Sequence, residues 1–443
     1  LKTLANVHQT IGILNLLPDE EFFSREIDIQ RLFHAGLDAT RALTPSLFLC
    51  GARKSGKSEV LKRVYRRLFQ EQESVVPFFH SIPKSLPSAE AFCREYFLRS
   101  VMQFLAFLRK DTGLIRAEEF DLNSAFQLAY ESRYPWLVEL VDTFHSGLRR
   151  KDLQILSRLA THFALTTSLR TGLSTFVLVD DFPHIASLKS EEELALLTSD
   201  FLSALQSRQA PHLLSGVSAQ SLQSLFKTVE IPGNAVIYPL RALDVQGAKQ
   251  VLVSLCERFG IALEKDLSAA IVGQLHHHPF YIRSIVEGAR REELHLQTPK
   301  EFAEVYTAEL TRGNLHLYFS SLLNSANLGP QEKIRALELL HACARRSVDS
   351  STLHFFQREE TGEDRNLGRI LEALGKVNLV DHALGTVSPI TDNVLADWIE
   401  WNFNHSLRGL SIPQACYQIT ASLLKRFQHD IQSMLQAGRT AQL

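Results

Sequence analysis

The chain has 443 residues, 45% of them apolar and 22% charged, a balance that supports folded domains and leaves little room for extended disorder. Its 47 Lys and Arg against 49 Asp and Glu give a net charge near −2, so no global positive field draws it onto nucleic acid or anionic lipid. No run approaches the ~18 apolar residues of a membrane-spanning helix, so no transmembrane segment is expected.

The length allows two or three domains. Five cysteines lie far apart, without metal-knuckle or redox spacing, which reads as buried thiols in a reducing compartment. The N-terminal stretch lacks a basic-then-apolar leader, and a chain that begins at Leu1 reads as a trimmed piece; a cytoplasmic location is the expectation.

In chain order, residues 1–44 read as a helical lead-in, with Ile27, Leu32, Phe33 and Leu37 along one side. Ser46 to Cys50 is an apolar run suited to a buried parallel strand, and a helix follows through Phe69. SVVPF, Ser74 to Phe78, is a second strand candidate weakened by Pro77. A helical insertion spans about 88–169, with a looser connection expected over Asp111 to Tyr134. Strand signals return at Thr175–Val179, His212–Val217 and Ala235–Leu240. Strands separated by helical patterns indicate an α/β fold, a parallel αβα sheet core over 45–240. Beyond Leu240 the pattern is helical: a lid over 241–328, then a boundary at Gly329-Pro330. Residues 329–405 read as helices and a hairpin at Asn378 to Ile390, with Gly385 near its turn, and 406–443 as an amphipathic helix.

GARKSGKS, Gly51 to Ser58, matches the phosphate-loop pattern G-x-x-x-x-G-K-[ST] at every fixed position. The spacing lets successive backbone N–H groups curl around phosphates at a helix N-terminus. The expected nucleotide contacts are Gly51, Ala52, Arg53, Lys54, Ser55, Gly56, Lys57, Ser58 and Glu59, with Lys57 reaching the β/γ oxygens and Ser58 ligating Mg²⁺. A strand before the loop and an amphipathic helix after it supply the context the motif requires. FVLVDD, Phe176 to Asp181, offers the second half of the site: Asp180 to hold Mg²⁺ through water and Asp181 to orient or deprotonate the attacking water. Many ATPases carry glutamate at the second position, so the shorter Asp181 makes binding a firmer expectation than fast turnover. Ser215, ending another strand, could bond the γ-phosphate or the lytic water; a plain loop serine is the alternative.

With these residues in place, the sequence resembles the AAA+/STAND group of P-loop ATPases, close to the archaeal-type and origin-recognition-like families. FFSREIDIQRLF, Phe22 to Phe33, resembles their F-x-G-R-E box on the adenine side, with Arg25 as the implied contact; Ser24 replaces the glycine and Asp28 one acid. FVLVDDF matches the acid box in its STAND-like DD form, and SGVS, Ser215 to Ser218, is similar in type to the first sensor. HHHPFYIR, His276 to Arg283, places Pro279 on the lid's G-x-P motif, with His277 replacing the glycine and Arg283 as a sensor-like candidate. TVSPITDNVLADWIEWNF, Thr386 to Phe403, looks like the end of the family's winged-helix domain. The resemblance spans about residues 20–405 and implies an ATP- and Mg²⁺-using molecular switch. ATP over GTP follows from the resemblance, as no N-K-x-D base-reading motif is present.

The winged-helix reading puts Arg365 to Lys376 where a DNA-reading helix would lie, but Glu372 and the acids of Glu359 to Asp364 oppose phosphate contact. A protein partner or self-association is therefore the leading expectation, with DNA contact through this domain as the rival. Arg208 and Arg241 are candidates for an arginine finger between which the sequence does not choose. Three further readings stay open: a DNA-binding initiator or regulator, a nucleotide-binding scaffold with negligible hydrolysis, and a motor auxiliary that forms rings on a partner machine.

Overall fold

The computed structural model describes residues 13, 15–116, 120–226, 235–345, 364–380, 382–383 and 386–440, with the side chains of 20, 364–366, 382–383, 386 and 430–440 excepted. The chain forms two compact units, residues 1–18 with 25–241 and residues 19–24 with 242–443.

In the first unit, β1 (Leu47–Cys50), β2 (Val75–Ser81), β3 (Ser174–Asp180), β4 (His212–Gly216) and β5 (Val236–Pro239) form one parallel sheet in the order β2-β3-β4-β1-β5. All five coincide with strands expected from sequence. Leu47 on β1 stands opposite Leu213 on β4 and Val236 on β5. The unbroken burial of β1 explains why this strand reads as a continuous apolar run instead of an alternating one. Helices α1 (Glu26–Asp38) and α2 (Lys57–Glu71) pack together, and α2 leaves directly from the end of β1.

Pro77 does not shorten β2, because β2 is an edge strand and proline is tolerated there. The edge is covered by α3 (Ala89–Arg109): the buried Gln103 amide accepts from the Phe79 N–H at 2.7 Å and donates to its carbonyl at 3.0 Å. That side-chain substitute for a sixth strand satisfies polar backbone that would otherwise be exposed or unpaired. The insertion continues through α4 (Thr112–Ile115), α5 (Leu122–Glu131), α6 (Pro135–Arg150), α7 (Leu153–Thr161) and α8 (Phe163–Thr171). The looser connection expected over Asp111 to Tyr134 therefore contains two helices. Each begins at an aspartate cap: Asp111 accepts from the Gly113 and Leu114 N–H groups, and Asp121 from Ser124 N–H at 2.8 Å. Phe97 stacks on Phe144 at 4.0 Å, tying α3 to α6. Helices α9 (Glu191–Leu205) and α10 (Ala219–Phe226) complete the connections around β4.

The second unit is helical: α11 (Val245–Phe259), α12 (Ser268–Gln274), α13 (Pro279–Arg291), α14 (Pro299–Arg312), α15 (Asn314–Ser325), α16 (Pro330–Ala344), α17 (Asp364–Lys376), α18 (Asn393–Ser406) and α19 (Ile412–Thr440). A short antiparallel pair, β6 (His382–Ala383) with β7 (Thr386–Val387), falls within the hairpin expected at Asn378 to Ile390. One apolar core runs from Leu243 to Phe427, so the segments 241–328 and 329–405 share an interior. Gly329-Pro330 starts α16 within that core: Pro330 takes the first helical position and Glu332 accepts the Gly329 N–H at 2.8 Å. Trp398 is fully buried and Trp401 nearly so, in keeping with a packing role. On α19, Ala415, Ile419, Leu423 and Phe427 form a buried stripe, and Phe427 stacks on Phe302 of α14 at 5.0 Å. Glu359 to Glu363, Asp381 and Gly385 lie outside the described residues, as do the side chains of Arg365, His382, Ile431 and Met434.

Glu400 on α18 ties this unit together, accepting from His341 at 2.8 Å and Arg345 at 2.9 Å. The His341 hydrogen bond leads the effects that lower its carboxyl to about 2. A folded pKa below the ordinary 4.5 means ionised Glu400 contributes stability above that value, and the contribution is lost as pH falls toward about 2. Glu400→Gln is thus expected to lower the thermal midpoint near pH ~7, with the gap to wild type closing as the pH falls below about 4.5. A pH-independent gap in the thermal melts contradicts this linkage.

Candidate functional site

The phosphate-loop sequence links β1 to α2, at the carboxyl end of the sheet, where open α/β folds place their ligands. Its conformation needs its glycines. A Cβ on Gly51 would stand 2.8 Å from the Leu240 carbonyl oxygen, which belongs to the backbone following β5 and has no room to yield. Gly56 adopts φ 98°, the left-handed region, and a Cβ there would meet nothing within 4 Å. Backbone shape, not crowding, therefore demands glycine at 56. Lys54 also has a left-handed φ, 59°.

Lys57 opens α2 and is almost buried. Its ammonium donates to the Gly51 carbonyl at 2.9 Å and the Ala52 carbonyl at 2.8 Å. Burial lowers its pKa, Arg53 adds to the shift, and Asp180 and Asp181 oppose it. The Ser55 hydroxyl is buried and hydrogen-bonds to no described group, and the Gly56 N–H bonds to no described backbone group. Polar groups left in this state beside a buried ammonium fit an anion in the loop.

Asp180 ends β3 and is 3% exposed. The strand order sets β4 between β3 and β1, and Ser215 on β4 donates its hydroxyl to Asp180 Oδ1 at 2.6 Å. The Ser58 hydroxyl, from the first turn of α2, hydrogen-bonds the same carboxylate. Burial raises the Asp180 carboxyl above its ordinary value, the neighbouring Asp181 charge adds to that, and the two serine hydroxyls and Lys57 counteract it. The two serines and the acid thus join three separate elements around one carboxylate. Asp181 follows in the left-handed region, φ 53°, with its N–H donating to Ser215 Oγ at 2.9 Å and Asp180 Oδ1 at 3.1 Å. Aspartate tolerates this conformation better than most residues. Chemically, the set offers a phosphate cradle, a hydroxyl and carboxylate of the kind that hold Mg²⁺, and a second acid beside them.

The other expected contact residues have partners within the protein. Glu59 accepts the Leu17 N–H at 3.0 Å and pairs with Lys62, fastening the lead-in to α2. Arg25 is buried and donates to the Ser55 carbonyl at 3.1 Å. Ser24 and His277, which stand where the resembled family carries glycine, have φ 55° and 53°. Both keep the left-handed backbone that glycine favours. Ser24 does so above Gly247, where a Cβ would overlap its side chain. Pro279 opens α13, and Arg283 is engaged by Glu21 at 2.8 Å and Glu287 at 2.9 Å. Among the histidines, His276 accepts the Asn393 N–H and His278 stacks on Tyr281. Among the described residues no group of three His, Cys, Asp or Glu is placed to hold a metal. Arg208 and Arg241 are both exposed. Sequence reasoning missed the grip of Arg25 on the loop and its neighbours Asp28 and Tyr238; Asp28, three residues after Arg25 on the same helix, was the only signal for it.

No protein-family model and no curated protein matches the chain. Among solved structures, a Walker-type ATPase of Pyrococcus abyssi aligns with 17% identity and a TM-score of 0.50, covering 87% of this chain and 99% of that one. This likeness shows a shared fold, a parallel sheet flanked by helices. The Orc1 protein of Aeropyrum pernix, solved in complex with DNA, aligns with 13% identity and a TM-score of 0.39 over 88% of this chain and 94% of that one. Cdc6p of Pyrobaculum aerophilum aligns with 12% identity and a TM-score of 0.35 over 85% and 93% respectively. At those scores the latter two add nothing to the fold assignment.

Ser215→Ala removes one hydrogen bond from a buried carboxylate and one from the Asp181 N–H, so it is expected to destabilise the ligand-free protein by roughly 1–3 kcal/mol. Urea denaturation of the first unit checks this. An unchanged midpoint means that the Ser215 hydroxyl does not make these bonds.

Proposed function

We propose that this chain binds ATP with Mg²⁺ and hydrolyses it, as a molecular switch whose nucleotide state governs presentation of its C-terminal segment to a protein partner. The observation that supports this reading best is the convergence of Ser58 and Ser215 on the buried Asp180, beside a glycine-shaped loop whose Gly56 N–H bonds to no described backbone group and a buried lysine. In this proposal Gly51 through Ser58 cradle the phosphates, and Lys57 leaves the loop carbonyls to meet the β/γ oxygens. Ser58 and Asp180 would hold Mg²⁺, which when bound offsets negative charge on the phosphate oxygens. Asp181 orients a water and accepts its proton as the water oxygen bonds to the γ-phosphorus. The bond from that phosphorus to the β–γ bridging oxygen breaks, and ADP leaves with the electron pair. The lid reading for 241–328 and the winged-helix reading for 329–405 belong to the same proposal.

On α17, Arg369 pairs with Glu332 at 3.2 Å and Lys376 with Glu372 at 2.7 Å, which leaves less positive charge for DNA phosphates and favours a protein partner.

Phosphate release and calorimetric binding test the enzyme half. Lys57→Ala should abolish both, while Asp181→Asn should keep MgATP affinity and lower turnover by roughly a hundredfold or more, the usual worth of a general base. Unchanged phosphate release by Lys57→Ala contradicts the mechanism, and binding without any release points to the scaffold reading. Amide exchange with and without MgATP tests the switch half: no change across residues 364–440 removes it.

A further inference from the structure

We infer that Arg25 is a positioning residue for the phosphate loop, acting from behind it through the backbone, with no contact to the base. The inference rests on the nucleotide reading above and deepens it. Arg25 stands just before α1, is 4% exposed, and donates from Nη2 to the Ser55 carbonyl at 3.1 Å. A trans peptide holds its C=O and the following N–H in one plane and pointing opposite ways. No described peptide bond is cis. Fixing the Ser55 carbonyl on Arg25 therefore aims the Gly56 N–H away from Arg25, and among the described residues that N–H has no backbone partner. Gly56 has no Cβ and a left-handed φ, so its peptide could rotate easily without such a hold.

Arg25 is itself held. Its Nη1 donates to Asp28 Oδ2 at 3.4 Å, and the Tyr238 hydroxyl on β5 donates to Asp28 Oδ1 at 2.8 Å. Burial raises the Tyr238 hydroxyl to about 12, and the Asp28 bond adds to it, so the tyrosine stays a donor at neutral pH. A chain of polar contacts thus runs from β5 through α1 to the peptide ahead of Lys57. A guanidinium suits this position because it is always charged and planar, and can serve a carbonyl and a carboxylate at once.

The test compares MgATP with magnesium tripolyphosphate, which has phosphates and no base, on the full chain by competition binding. Arg25→Gln should weaken both ligands by the same factor, roughly ten- to a hundredfold, the worth of a hydrogen bond from a charged donor. Arg25→Lys should recover part of the loss. Tyr238→Phe, a milder change that keeps the fold if Arg25→Gln does not, should weaken both ligands to a smaller, equal degree. Thermal melts of the ligand-free variants separate folding from affinity, since a purely structural role lowers the midpoint and leaves the folded protein's affinity intact. Full affinity in Arg25→Gln, or in Tyr238→Phe if only that variant folds, overturns the inference; so does a loss confined to MgATP, which would signify base contact. Wild-type protein that binds neither ligand removes the nucleotide reading, and the inference with it.

Discussion

A carboxylate kept almost dry at the end of a central strand must be paid for by its neighbours, and Asp180 organises the first unit around that need. Burial alone would push it toward the neutral form, and the adjacent Asp181 adds to the pressure. Two serine hydroxyls and the Lys57 charge counteract this from α2 and β4. Such a cluster works only if the strands lie in the order found, with β4 between the two strands that end in the loop and in the acid. The sheet topology, the start of α2 and the turn at Asp181 are all tied to one carboxyl group.

The loop poses a second constraint, of shape rather than charge. Gly51 is required because the Leu240 carbonyl leaves no space for a side chain, whereas Gly56 is required for its backbone angle. The lysine that the reaction would need rests on two loop carbonyls, so its charge is stabilised inside the loop at the expense of its reach. Displacing it by phosphate oxygens exchanges neutral acceptors for charged ones, which form stronger hydrogen bonds.

Much of this was legible in the residues. The five strands were legible as short segments separated by helical patterns, and the loop and acid motifs fell at strand ends as their chemistry requires. Less legible were features that depend on distant partners. β2 extends past Pro77 because it lies at the sheet's edge, where Gln103, more than twenty residues later, bonds the Phe79 backbone. The helix at Leu122 hangs on the Asp121 cap, a local signal outweighed by the polar residues around it. Gly329-Pro330 reads as a domain boundary but starts a helix inside a shared core, since proline suits a first helical position as well as a linker. At the site, Arg25 sits in a box whose resemblance points toward a base contact, and only the fold brings it against the Ser55 carbonyl.

The claim on which the rest depends is that Ser58 and Asp180 jointly hold a metal alongside a nucleotide. Calorimetric titration of ATP with and without Mg²⁺, in wild type and in Asp180→Asn, measures that coupling directly. The account predicts that Mg²⁺ strengthens ATP binding in wild type and that the strengthening is lost in Asp180→Asn. ATP affinity that responds equally to Mg²⁺ in both proteins would contradict it.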